Sequence, residues 1–223
     1  MSNEIYSMEE VQPVLVERLK TRFELNEPIF TNEILEVMQD YSRPRVYQLI
    51  GEAEKKGELV RYDNGIYYMP KQTEFGRSVP TVNSVVNKKY IRDKGDTFGI
   101  YGRYVIDLNF LVSYQVPNVI EVITNNESRK VREIEIRGRK VILRKSRLPI
   151  TNENEAAYTL MELFNNIDMK QYQEELQIRD SVFEYIREKN ITRSGILSLA
   201  NAFPARAMKN IAISGVLYEV TQQ

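Results

Sequence analysis

Within forty residues, from Thr31 to Pro70, two helix patterns run into an Asn64–Gly65 pair flanked by β-prone stretches, and few small folds accommodate that order. Thr31 is a good N-cap residue and Glu33 falls in the first turn, where a negative charge suits the helix dipole. TNEILEVMQDY therefore reads as one helix, with Ile34, Leu35, Met38 and Tyr41 on its apolar face. A second helix follows in SRPRVYQLIGEAEKKG, with Ser42 as cap, Pro44 in the first turn and Gly57 as the stop. Val46, Leu49, Ile50 and Ala53 sit at the i, i+3, i+4, i+7 spacing of a buried stripe. After Gly57 the period changes to that of strands, and Asn-Gly between ELVRYD and IYYMP is a strong hairpin signal.

Helix, helix and hairpin in this order give the layout of a winged helix-turn-helix. An N-terminal helix through Val11, Leu15, Leu19 and Phe23, and a short strand at Pro28-Ile29-Phe30, complete such a module. In that geometry the second helix offers its first turns to the major groove. Arg43, Arg45, Tyr47 and Gln48 are the candidate DNA-reading residues, because Arg can take guanine O6 and N7 and Gln can take adenine, both in bidentate fashion. Arg61 or Tyr62 on the hairpin is placed to reach phosphate. The competing reading is a winged helix that docks another protein, with Arg43 and Arg45 on an ordinary solvated face.

Charge is unevenly spread. The chain has 31 Lys+Arg and 31 Asp+Glu, yet residues 1–70 net −5, residues 71–150 net +8 and residues 151–223 net −3. An acidic first segment argues mildly against DNA binding, since phosphate contacts supply most non-specific affinity. A Debye length of about 8 Å at physiological salt softens the objection.

The expected domains are a winged helix over 1–70, a linker over 71–81 where KQTEFGRSVPT lacks periodicity, and an α/β domain over 82–223, an α+β protein as a whole. In the second domain, VNSVVNKKYIRDK and the stretch around Arg103 to Val112 read as helices, and NVIEVITNN as a strand. SRKVREIEIRGRKVILRKSR reads as a hairpin around Gly138, with Ile134, Ile136, Val141 and Leu143 on the packed face. Its other face is expected to be strongly basic, from Arg129, Lys130, Arg132, Arg137, Arg139, Lys140, Arg144, Lys145 and Arg147 against Glu133 and Glu135. Such a patch attracts nucleic acid or an acidic protein surface, or simply blunts a sheet edge with charge.

A helical tail follows. Asn152 and Glu155 have capping-box spacing, Ala157, Leu160, Met161, Phe164 and Ile167 form a helical stripe, and another helix is expected from about Lys170 to Lys189. Residues 192–220 faintly echo the first module, with Thr192, Ile196-Leu197, Pro204 and Arg206 standing for Thr31, Ile34-Leu35, Pro44 and Arg45. A packed helical layer is the preferred reading there over a second helix-turn-helix, with Arg206 and Lys209 the residues that would decide.

Enzyme chemistry finds little purchase. Histidine and cysteine are absent, which removes the commonest general base, thiolate nucleophiles and thiolate metal sites. Gly95, Gly99 and Gly102 match no phosphate-loop spacing, and Asp93 with Asp96 reads as a turn. No enzyme activity, cofactor or metal is expected. The acidic start MSNEIYSMEE is unlike a signal peptide, and no apolar run approaches a membrane span, so a cytoplasmic protein is expected.

With these segments read in order, the chain resembles the AbiEi-type antitoxins of bacteria. The resemblance rests on TNEILEVM, RVYQLIGEAEKKGELVRYDNGIYYMP, YQVPNVIEVITN and the basic hairpin closing with Ile142-Leu143-Arg144-Lys145. It implies a type IV toxin–antitoxin (abortive phage infection) operon, with an N-terminal winged helix and an α/β C-terminal domain. It also implies autorepression through inverted repeats in double-stranded promoter DNA. The functional counterpart would be a nucleotidyltransferase-like toxin, opposed by the C-terminal domain without a tight complex. Arg43, Arg45, Tyr47 and Gln48 match the family's DNA-reading position.

Overall fold

Asn64–Gly65 does turn the chain between two antiparallel strands, with Gly65 at φ 70° and Asn64 outside the left-handed region. Around it the computed structural model describes residues 14–220 apart from 75, 104–105, 107–109 and 111–118. Val11 and most of the helix expected between Arg103 and Val112 lie outside the described residues. The fold mixes helices and sheets, in keeping with the α+β class. The chain divides into two units between Val85 and Val86.

The first unit carries α1 (Val14–Lys20), β1 (Ile29–Phe30), α2 (Thr31–Val37), α3 (Arg43–Lys56), β2 (Val60–Asp63) and β3 (Ile66–Tyr68). The strands form an antiparallel sheet in the order β1-β3-β2. Its core gathers Leu15, Leu19, Ile29, Ile34, Met38, Val46, Leu49 and Ile50, among others. Burial of each such side chain stabilises by about 1.5–3 kcal/mol, which is how a seven-residue helix such as α2 is held.

Local capping departs from expectation at α2. Thr31 is the first helical residue instead of the cap. Its hydroxyl donates to Gly65 O at 3.2 Å and its N–H to the same oxygen at 3.0 Å, which ties the helix to the hairpin turn. Glu33 accepts the N–H of Phe30 at 2.8 Å in compensation. The helix also stops at Val37, short of Tyr41. Arg18 of α1 grips Asp40 through two bonds of 2.5 and 2.8 Å and lies 5.4 Å from the Tyr41 ring centre, so the α2–α3 turn is pinned from outside. Helix α3 follows its backbone signals: Ser42 occupies the N-cap position, though its side chain makes no capping hydrogen bond, Pro44 lies in the first turn, and Gly57 ends the helix in the left-handed region at φ 70°.

Residues 71–81, expected as a linker, belong in part to a small hairpin of β4 (Gln72–Thr73) and β5 (Gly76–Arg77). The hairpin has a physical reason. Thr73 donates its hydroxyl to Gly76 O at 2.7 Å, and Arg77 lays its guanidinium against Gly57 at the C-terminal end of α3, where a cation suits the helix dipole. Helix α4 (Val82–Val86) follows.

In the second unit a π-helical turn (Asn87–Ile91) leads into a tight hairpin, β6 (Arg92–Asp93) and β7 (Asp96–Thr97). The main sheet comprises β8 (Gly99–Tyr101), β9 (Val119–Thr124), β10 (Val131–Ile136) and β11 (Arg139–Lys145), ordered β10-β11-β9-β8. β9 and β11 run parallel at its centre, and the outer pairs are antiparallel. The β10–β11 turn is built on Arg137 and Gly138 at φ 46° and 77°, the two positive angles of a type I′ hairpin.

The helical tail holds α5 (Glu155–Asn166), α6 (Met169–Glu174), α7 (Leu176–Glu188), α8 (Arg193–Leu199), α9 (Ala205–Ser214) and α10 (Val216–Glu219). The helix expected over Lys170–Lys189 is broken at Glu175, whose backbone is extended at φ −101° and ψ 98°. Asn152 does not cap α5. Its side chain instead accepts the N–H of Thr97 at 2.9 Å and donates to Gly95 O at 2.9 Å, while Glu155 pairs with Arg92 at 2.5 Å, so both serve the β6–β7 hairpin. Ile196, Leu199, Ala207 and Ile211 join Tyr158, Leu160 and Phe164 in one core, so residues 192–220 form a packed layer with Arg206 and Lys209 exposed. Among the described residues no helix is long and apolar enough to cross a membrane.

Candidate functional site

The outer face of α3 is set by its buried stripe. Val46, Leu49, Ile50 and Ala53 turn inward, which leaves Arg43, Tyr47 and Gln48 exposed on its first two turns, with Tyr47 at 51%. Arg45 is half-buried, with its guanidinium 3.8 Å from Glu52. On β2, Arg61 is exposed and Tyr62 is not, because neighbours on a strand point to opposite sides. Tyr62 is buried, edge-on to Tyr68 at 6.4 Å, and this corrects its placement beside Arg61 as a phosphate contact. Arg61 is itself held, 3.4 Å from Glu54 and 3.3 Å from the Tyr67 hydroxyl.

The nine cations expected on one face of the β10–β11 hairpin do not share a face. Register puts Arg132 opposite Leu143 and Arg139 opposite Ile136, on the side with Val141 and Ile134. The other side carries Glu133, Glu135, Lys140, Ile142 and Arg144. Arg129 and Lys130 precede β10, Arg137 is a turn residue, and Arg147 follows β11. Ion pairing thins the patch further: Arg132 pairs with Glu127 at 2.6 Å, Lys140 with Glu133 at 2.7 Å, Arg144 with Glu121, and Arg147 with Glu162 at 3.3 Å.

What the fold does assemble is a pocket of about 370 Å³ between the end of the sheet and α5. Lys130, Arg144, Lys145 and Arg147 line it with Arg103, Asn165 and Asn166, around Glu121 and Glu162. Both carboxylates are buried, at 5% and 7% exposure, and each takes the Nε–H of one arginine. Burial drives the Glu162 carboxyl upward from its ordinary range, and the Arg147 cation pulls it back. Arg147 is braced three ways. Beyond Glu162, its guanidinium stacks 5.1 Å from the Phe203 ring centre, and its N–H donates to the Tyr158 hydroxyl at 2.8 Å. Burial pushes that hydroxyl up to about 12, so it stays protonated across the physiological range.

Gly102 admits the chain to this corner. Its N–H donates to Glu121 O at 2.7 Å, and a Cβ there would meet Glu121 Cγ at 2.5 Å. The next N–H, of Arg103, donates to the Glu121 carboxylate at 3.1 Å. A larger cavity of about 590 Å³, bordered by Tyr101, Phe110, Tyr185, Glu155 and Glu184, contains none of the cations singled out in the sequence. Among the described residues no group of three or more His, Cys, Asp or Glu is arranged to hold a metal ion.

A model of one protein family matches residues 27–175, more than half of the chain. The chain belongs to the family of unknown function DUF6088. The matched stretch takes in α2, α3 and the β2–β3 hairpin, the whole main sheet, and α5 with α6, so it contains both the exposed face of α3 and every residue of the basic pocket. Helices α7 to α10 fall after it. No curated protein and no solved structure matches the chain.

Sequence reasoning missed Arg103, Glu121, Glu162, Asn165 and Asn166. Two of them left a signal. Glu121 interrupts the apolar run of NVIEVITNN, and Glu162 stands between Met161 and Leu163 inside an apolar stripe. A carboxylate in an otherwise buried run must find a cation or a set of donors, so each pointed to a paired charge.

Proposed function

We propose that this protein is a DNA-binding transcriptional autorepressor whose first unit is a winged helix-turn-helix. By its resemblance to AbiEi-type antitoxins it is also the antitoxin of a type IV toxin–antitoxin operon. The observation that carries the DNA-binding reading is the exposure of Arg43, Tyr47 and Gln48 on the first turns of α3, directly after the short turn from α2. These are side chains suited to base edges in the position from which a recognition helix reads the major groove. Arg61, on the β2 strand of the same unit, supplies a phosphate contact. The antitoxin role, and a nucleotidyltransferase-like toxin as counterpart, rest on the resemblance alone.

The second reading is a winged-helix protein-interaction module without DNA affinity: the net charge of −5 over residues 1–70 opposes DNA, and the net +8 over residues 71–150, with Lys140 and Arg144, suits an acidic partner. Fluorescence anisotropy of the full chain on its own upstream promoter and on a scrambled duplex, across a salt series, separates the two. Tight promoter binding, weak scrambled binding and a log–log salt slope of about −0.9 per neutralised phosphate support the repressor. Equal, salt-sensitive affinity for both duplexes points to cationic surface acting without base readout. Absence of binding to either moves the assignment to protein docking.

A further inference from the structure

The pocket beside β11 is a concave site with a surplus of positive charge and a rigid floor. Five cations line it against two carboxylates. Those carboxylates are buried where an apolar pair would stabilise the fold as well or better, since removing two charges from water generally costs about what their attraction returns. Their geometry gives them a different use. Glu121 and Glu162 engage the Nε edges of Arg144 and Arg147, and a guanidinium so held keeps further N–H donors on its remaining edges. Both arginine side chains remain more than a third exposed. Two oriented guanidinium groups, with Lys130 and Lys145 at the rim, match the oxygens of a phosphate, which guanidinium binds in bidentate fashion.

We propose that this pocket binds a small phosphomonoester, its phosphate held between Arg144 and Arg147 and its organic part directed towards Asn165, Asn166 and Ile123. The charge favours a dianion: a monoester carries about −1.5 to −2 at neutral pH, whereas each phosphodiester of a nucleic acid carries a single charge. The volume suits a ligand of mononucleotide size, near the lower end of the roughly 300–1,000 Å³ found for small-molecule sites. The buried carboxylates also weigh against a polyanionic strand, which would lay further phosphates near Glu121 and Glu162. Glu121 and Glu162 are positioning residues here. The site lies wholly in the second unit and stands independently of DNA reading by α3.

Calorimetric titration of the full chain with inorganic phosphate, ribose 5-phosphate, adenosine 5′-monophosphate, adenosine and succinate tests this. The phosphorylated compounds are expected to bind and adenosine and succinate to fail. The double variant Lys130→Gln/Lys145→Gln changes two exposed side chains, so the fold should survive. It should weaken phosphate-ester binding about tenfold or more, the usual weight of charge-assisted contacts. Arg144→Gln should weaken it further, with the thermal melt confirming that the variant remains folded. The proposal is overturned if adenosine or succinate binds as tightly as the monophosphate, if no phosphate compound binds, or if the double variant leaves affinity unchanged. It is overturned equally if a single-stranded oligonucleotide without terminal phosphate binds more tightly than the monoesters and loses that affinity in the double variant, since the cations would then serve a nucleic-acid backbone.

Discussion

Glu121 on β9 reaches past its register partner Ile142 to take the Nε–H of Arg144, two residues further along β11 on the same side of the sheet. The carboxylate is buried and the arginine half-exposed, so the pair is energetically lopsided. Removing the arginine strands a buried charge, whereas neutralising the glutamate leaves a cation that water can solvate. Arg144→Met should therefore destabilise by about 1–3 kcal/mol and Glu121→Gln by less, read from the midpoints of urea denaturation. Equal losses in the two variants would show that the carboxylate is not dependent on its partner.

Gly99 opens β8 and Gly102 directly follows its last residue. A Cβ at Gly99 would collide with the carbonyl oxygens of Tyr90 and Ile123, which are backbone atoms and cannot swing aside. At Gly102 the obstacle is the Glu121 side chain. Gly99→Ala is expected to cost about 2–4 kcal/mol or prevent folding of the second unit, and Gly102→Ala about 1–2 kcal/mol, consistent with overpacking. Thermal melts of the two variants should rank in that order.

Glu127, in the β9–β10 connection, accepts the N–H of Arg129 at 3.0 Å and the Nε–H of Arg132 at 2.6 Å, and these bonds hold its carboxyl below the ordinary value of 4.5. A lowered folded-state value means that the stabilisation is fully present above the unfolded-state value and is lost as pH falls through the folded one. Wild type should lose this contribution on acidification below about pH 4.5, and Glu127→Gln should be less stable at pH 7 by about 1–2 kcal/mol. Denaturation midpoints at pH 7 and pH 3 check the sign. The gap between the two proteins must narrow at the lower pH.

On α3 the exposed and tethered residues should separate. Arg43→Ala and Gln48→Ala remove side chains free to meet base edges, and each should lower promoter preference by about 1–3 kcal/mol. Arg45 has Glu52 as a neighbour and is half-buried, so Arg45→Ala should perturb specificity less than Arg43→Ala. Anisotropy with single-base operator variants measures this. An unchanged preference in all three variants would end the case for base readout by α3.

Local structure is legible in the sequence wherever one residue decides a backbone angle. Gly57 and Gly65 take up positive φ values, Pro44 lies in the first turn of α3, and β2 and β3 form where the period changes after Gly57. Side-chain capping is less legible, because Thr31 and Asn152 each find a partner in a segment remote in sequence. The hairpin cations show the limit most clearly. The sequence by itself determined that residues 129–147 are cationic and form two strands about Gly138, since β propensity and turn chemistry are local. Only the tertiary structure decided which cations act together. Placing β11 parallel to β9 and packing α5 alongside carried Glu121 and Glu162 to Arg144 and Arg147, and charges distant in sequence became neighbours through a register and a helix packing that no local pattern encodes.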